Sequence, residues 1–167
     1  LAQESIKIGL LATFEGPFTV LGEDGQRGAQ TAVDEVGGMV AGKKIEIIKG
    51  SSDASPDSAV RAARKLVEQD GVKVLVGPLS GDEGIAVKDY AKTHPEVTFI
   101  NGSSAAQDTT LRDPAANFFR FGTDGAQWMA VIGFLPTLYA ASGWTGALGA
   151  TLTASVAAVN VIGNISA

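Results

Sequence analysis

Residues 55–80 read SPDSAVRAARKLVEQDGVKVLVGPLS. Ser55-Pro56 sets an N-cap hydroxyl ahead of a proline at the first helical position, where a missing N–H costs nothing. Val60, Ala63, Leu66 and Val67 follow at spacings of three and four, the apolar stripe of an amphipathic helix, and Gly71 stops it. Val72-Lys73-Val74-Leu75-Val76 then reads as a short strand closed by Gly77-Pro78. A helix feeding directly into an apolar strand is half of a β-α-β unit.

The same rhythm extends both ways. Upstream, Ile6 to Leu11 is an apolar run expected to form a strand, with a loop from Ala12 to Gly22 holding Gly16-Pro17. Glu23 to Val36 carries Ala29, Ala32, Val33 and Val36 at helical spacing and ends at Gly37-Gly38, and Lys44 to Ile48 alternates like a strand. Downstream, Asp82 to Thr93 is expected to be a helix that stops before Pro95, Val97 to Ile100 a strand, and Phe118 to Phe121 a fifth strand. Alternation of this kind predicts a doubly wound α/β fold: a mostly parallel sheet, right-handed crossovers and helices on both faces.

Composition narrows the function. The chain has 167 residues, 45% hydrophobic and 19% charged, which is enough for one domain with a real core. It contains no Cys and a single His, His94, so a disulfide framework, a Cys-ligated metal, a thiol nucleophile and a site of several imidazoles are all excluded. A net charge of −5 argues against a nucleic-acid platform, which needs clustered Lys and Arg. No cofactor or metal is expected.

In a parallel sheet, ligands bind beyond the carboxyl ends of the strands. The segments expected there are Ala12 to Gly22, Gly50 to Asp53, Gly77 to Gly81 and Asn101 to Ser104, all small and polar. Each by itself is ordinary turn chemistry. Four at one pole point to a cleft whose hydroxyls and backbone amides hold a small polar group such as a carboxylate.

Other motifs carry less. Gly37 to Lys44 spells G-x-x-x-x-G-K, yet it has Lys where a phosphate loop needs Ser or Thr, and it follows a helix rather than a strand. No G-x-G-x-x-G follows the first strand, so the dinucleotide fingerprint is missing. His94 is expected at the pole opposite the small polar loops, out of reach of Ser80, Ser103 and Ser104, and no nucleophile–base pair assembles. Asp82 and Glu83 beside Ser80 are accounted for by the macrodipole of the helix they open. A non-enzymatic role follows.

With these residues in view, a resemblance can be stated. IKIGLLATFEGPFTVLG from Ile6 to Gly22, the later GQRGAQTAVDEVGG, SPDSAVRAARKLVEQDGVKVLVGPLSGDEGIAV, TFINGSSAAQDTT and FFRFGTDGAQW together resemble the amino-terminal lobe of type I periplasmic binding proteins. These are the Leu/Ile/Val-binding-like components of ABC importers, with two Rossmann-like lobes that close on a solute. The resemblance covers Ile6 to about Met129. It implies an apolar ligand wall at Phe18 and Leu21, a second ligand loop at Ser80 and Gly81, and a third at Ser103, Ser104 and Ala105, where hydroxyls and amides hold a ligand carboxylate. Ala105 stands where branched-chain amino-acid binders have a Thr. The missing hydroxyl widens the expected solutes to other carboxylates, including aromatic acids and amides.

The resemblance further implies an ABC permease as membrane partner and a periplasmic location. Leu1-Ala2-Gln3 is similar to what remains around a small-residue signal-peptidase site. A ligand-binding sensor or receptor module of the same fold is the alternative reading.

The last part of the chain breaks the pattern. Every Asp, Glu, Lys, Arg and His precedes Gly125, and residues 125–167 contain none. Asp124 and Gln127 form a D-x-x-Q helix start, after which the family likeness ends. The chain is therefore divided into an amino-terminal lobe, residues 1–128, and an uncharged Ala/Gly-rich segment, residues 129–167. A membrane-spanning segment, a short variant packed on the lobe and a reading-frame change near Met129 all remain open for that segment. The frame change is favoured because it accounts for the loss of charge and of family pattern together.

Overall fold

The computed structural model describes residues 5–127 and 141–143. The expectations placed on residues 1–4 and on most of the uncharged segment lie outside the described residues. Within them no helix is long and apolar enough to cross a membrane.

Six strands form one sheet: β1 (Ser5–Thr13), β2 (Met39–Val40), β3 (Lys43–Ser52), β4 (Val74–Val76), β5 (Thr98–Asn101) and β6 (Phe118–Arg120). Their spatial order is β2-β3-β1-β4-β5-β6, and every pairing is parallel except β2 with β3. Three helices connect them, α1 (Thr19–Glu35), α2 (Pro56–Arg64) and α3 (Gly81–Ala91), and a π-type turn, Lys65–Gln69, prolongs α2. The doubly wound, mostly parallel α/β architecture expected from the sequence is the one observed.

The faces of the sheet follow from register. Leu11 of β1, Leu75 of β4, Phe99 of β5 and Phe118 of β6 point one way and join Ala59, Ala63, Leu66, Val87 and Ala91 of the α2–α3 side in a single core. Leu66 is wholly buried over two glycines of neighbouring strands: a Cβ added at Gly50 would lie 2.6 Å from its Cδ1, and one at Gly9 3.2 Å. The other face carries Ile8 and Leu10 of β1, Ile45 and Ile47 of β3 and Val76 of β4, with Ala29, Ala32 and Val33 of α1 beside them.

Several boundaries differ from expectation. The loop read as Ala12 to Gly22 is shorter: β1 runs on to Thr13, a 3-10 turn spans Gly16–Phe18, and α1 starts at Thr19. Thr19 Oγ1 donates to the Gly16 carbonyl at 2.7 Å, a local bond that ties the turn to the helix. Gly22 is therefore helical, and its lack of a side chain serves close approach, since a Cβ there would sit 1.9 Å from the Thr13 carbonyl oxygen. Gly50, Ser51 and Ser52 belong to β3 instead of a loop.

The stretch resembling a phosphate loop is a β-hairpin. Ala41 and Gly42 both have positive φ, 49° and 74°, the backbone of a two-residue turn joining β2 to β3. From sequence Gly37-Gly38 signals only the end of a helix, and the two-residue strand β2 that follows is not among the elements expected. The Asp124–Gln127 reading holds: Gln127 N–H donates to Asp124 Oδ1 at 2.8 Å and Asp124 N–H donates to Gln127 Oε1 at 3.0 Å. The Gln127 N–H bond holds the Asp124 carboxyl below its ordinary range, with Arg120 at 3.2 Å adding to the effect.

Candidate functional site

The carboxyl ends of β1, β4 and β5 face the same pole. A cleft of about 320 Å³ opens there, walled by Leu21, Gly22 and Gly25 of α1, Leu10 to Ala12 of β1, Val76 of β4 with Gly77 to Leu79 after it, and Gly102 and Ser103 after β5. Its walls are mostly apolar. The Gly77 backbone makes the close approach possible: its φ is 126°, and a Cβ there would lie 2.0 Å from the Leu11 carbonyl oxygen.

The residues proposed from sequence are placed at this pole in different ways. Leu21 and Ser103 line the cleft. Leu21 is 46% exposed, and the Ser103 hydroxyl lies 3.5 Å from the Pro78 and Leu79 carbonyls at the rim. Phe18 is half-buried at the end of the 3-10 turn and is not among the residues that line the cleft.

The remaining candidates are held by the protein itself. Ser80 is buried as the N-cap of α3, accepting from Glu83 N–H at 3.3 Å and donating to the Ala54 carbonyl at 3.4 Å. Gly81 begins α3 and brings it against the loop after β5, where its missing Cβ would lie 3.2 Å from Ala106 Cβ. Ser104 is 2% exposed; its backbone is clamped by the Asn101 side chain, and its hydroxyl is tucked over Gly84 with no hydrogen-bond partner. Ala105 gives its carbonyl to Gly125 N–H at 2.9 Å, which links this loop to the helix start at Asp124.

Under the loops lies a polar layer that the sequence reading did not assign. Thr13, Ser52, Ser80 and Glu83 are all buried. Glu83 Oε2 accepts from Ser80 N–H at 2.8 Å, completing a capping box, and Oε1 accepts from the Ser52 hydroxyl, which is 3.4 Å from Thr13 Oγ1. The S-x-x-E spacing of Ser80 and Glu83 was the available signal. Asp82, by contrast, is exposed in the first turn, as a macrodipole role requires.

At the start of α2, Asp53 Oδ1 accepts from the Ser55 hydroxyl and N–H and from the Ser58 hydroxyl, which lowers its carboxyl to about 2. His94 sits at the far end of β5, its ring 4.3 Å from that of Tyr90. Tyr90 donates to Glu68 at 3.2 Å, and burial followed by the Glu68 charge pushes its phenol well above the ordinary value. Among the described residues no group of three or more acidic, His or Cys side chains is placed to hold a metal.

The sequence pattern of the periplasmic binding protein family matches residues 5–159. The chain belongs to that family. The match runs to residue 159, so the family likeness does not end near Met129 as the sequence suggested but continues into the uncharged segment. Leu/Ile/Val-binding protein BraC3 of Rhizobium johnstonii is 35% identical over 114 residues, which is 67% of this chain and 30% of that protein. This family member thus spans about a third of the length of the curated relatives it matches.

Solved structures share the fold, among them two in complex with solutes. A Rhodopseudomonas palustris ABC-transporter solute-binding protein, in complex with 3,4-dihydroxybenzoic acid, superposes with a TM-score of 0.71 at 27% identity, over 77% of this chain and 35% of that one. The branched-chain amino-acid binding protein LivJ of Streptococcus pneumoniae, in complex with isoleucine, gives 0.65 at 28% identity, over 72% and 34% of the two chains. Both of these neighbours are solute- or substrate-binding proteins of transporters.

Proposed function

We propose that this chain supplies the amino-terminal wall of the solute site of an exported ABC-importer binding protein, whose ligand is a small carboxylate-bearing molecule. The observation that carries the reading is the convergence of the segments after β1, β4 and β5 on one cleft at the carboxyl ends of parallel strands. Apolar walls from Leu21, Pro78 and Leu79 with the Ser103 hydroxyl at the rim suit a solute with an apolar body and a polar end. Relatives in complex with isoleucine and with a dihydroxybenzoic acid support that class. Ala105, lacking a hydroxyl, weights the choice toward aromatic acids or amides. Phe18, Ser80, Gly81 and Ser104 complete the proposed site as its supporting rim.

Closure of two lobes gives such proteins their affinity by burying the solute between them. Taken alone, the 167-residue chain is expected to bind at best weakly, and a micromolar complex in calorimetry would overturn that. The solute class is tested by titrating the polypeptide as its source produces it with L-leucine, L-isoleucine and benzoates. Heat from a benzoate and none from the amino acids is the expected result. The division at residue 128 rests on the abrupt loss of charge after Asp124. Translating the coding DNA in its other two frames should restore a charged α/β continuation after Met129, and failure in both frames would refute the frame change.

A further inference from the structure

Glu83 is wholly buried and, among the described residues, forms no ion pair, an arrangement that costs stability unless hydrogen bonds hold the carboxyl on every side. A helix cap needs only part of what it does. An exposed S-x-x-E box would satisfy the first amides of α3 equally well. Here the second oxygen reaches across to Ser52, the last residue of β3, which in turn contacts Thr13, the last residue of β1. Through Ser80 the same carboxyl also meets Ala54 in the β3–α2 connection. One side chain therefore joins the ends of β1 and β3 to the loop after β4.

That loop, Gly77 to Ser80, forms one wall of the cleft through Gly77, Pro78 and Leu79 and approaches Ser103 on the opposite rim. We propose that Glu83 is a positioning residue for solute binding: bonded to Ser52 and to the Ser80 backbone, it fixes the loop after β4 against the end of β1 and so presets the cleft. This rests on the solute-binding reading above. The local hydrogen-bond pattern argues for it, because the helix-capping arm and the cross-strand arm use different oxygens of one carboxyl and can be cut separately.

Ser52→Ala severs the cross-strand arm and leaves the capping box in place. Asn117→Ala is the control: its side-chain amide lies within 3.0 Å of the Ala91, His94 and Val97 carbonyls at the far pole, so its loss destabilises the protein away from the cleft. In the ligand-free protein as its source produces it, amide exchange at Ser80 and Gly81 should speed up in Ser52→Ala and stay as in wild type in Asn117→Ala. Unchanged exchange in Ser52→Ala overturns the proposal whether or not any solute binds. For a solute that wild type binds, Ser52→Ala should weaken affinity by about tenfold, the scale of one lost hydrogen bond, with Asn117→Ala near wild type. Glu83→Gln, which keeps one acceptor and the side-chain shape, should recover most of the affinity that Glu83→Ala loses. Equal affinity losses in Ser52→Ala and Asn117→Ala would reduce Glu83 to a general stabiliser and refute the positioning role. A wild-type protein that binds none of the amino acids or benzoates would instead refute the solute-binding reading, while the exchange result still decides the loop.

Discussion

On one face of the sheet Leu11, Leu75, Phe99 and Phe118 lie under α2 and α3 with at most 5% exposure, whereas on the other, where Leu10 is also buried, Ile8, Val76 and Ile100 are only half-buried and Phe119 keeps 49%. Both faces come from the same alternating strands, so strand sequence does not explain the difference. The helices do. The α2 segment brings Ala59, Ala62, Ala63, Leu66 and Val67, all buried, whereas α1 has one buried residue, Gly22, and lays the small side chains of Ala29 and Val33 over a groove of about 330 Å³. Stabilisation tracks the apolar area a helix removes from water, and α1 has no counterpart to the wholly buried Leu66 of the α2 segment.

The sharpest way to break this contrast is Leu66→Ala. Truncating a fully buried leucine that spans Gly9 and Gly50 is expected to cost about 3–4 kcal/mol in denaturant unfolding, and a loss under about 1 kcal/mol would mean the α2 face is looser than described. Gly22→Ala comes next. A methyl placed 1.9 Å from the Thr13 carbonyl must push α1 off the sheet, at about 1–3 kcal/mol, with weakened solute binding because Leu21 moves with the helix. Ser80→Ala should cost about 1 kcal/mol as a lost helix cap, measured in the same way.

Val33→Ala on the open face should cost under about 1 kcal/mol; a loss matching Leu66→Ala would abolish the comparison. The smallest effect belongs to Asp53. Its carboxyl is lowered from 3.8 to about 2 by the Ser55 and Ser58 bonds, so its contribution is complete above the unfolded value and fades as pH falls from 3.8 toward 2. An NMR carboxyl titration should find that midpoint, and Asp53→Asn should flatten the acid limb of stability in that window alone.

Much of the fold was legible because its signals are local. Ser55-Pro56 fixes where α2 starts, and Asp124 with Gln127 caps a helix through its own side chains. The β2–β3 hairpin was hidden because Ala41 takes a positive φ that only its turn demands. The candidate site was harder to read, since a serine in a loop can face a ligand or serve its own helix. Ser80 caps α3 and Ser103 lines the cleft, although both are serines in loops at strand ends.

By itself the sequence determined the alternation of strands and helices, the parallel sheet and which loops gather at the carboxyl pole of the strands, because apolar period and capping chemistry act within a few residues. Only the tertiary structure decided which groups at that pole meet solvent. Ser103 and Ser104 are neighbours, yet one is exposed and the other is 2% exposed against Gly84. Ser103 lies at a bend beyond β5, and the Asn101 side chain turns Ser104 inward onto α3, so which serine meets the cleft is set by how this loop packs on the helix. Glu83 shows the same dependence: its spacing from Ser80 made the cap, and the approach of β3 brought Ser52 to its other oxygen.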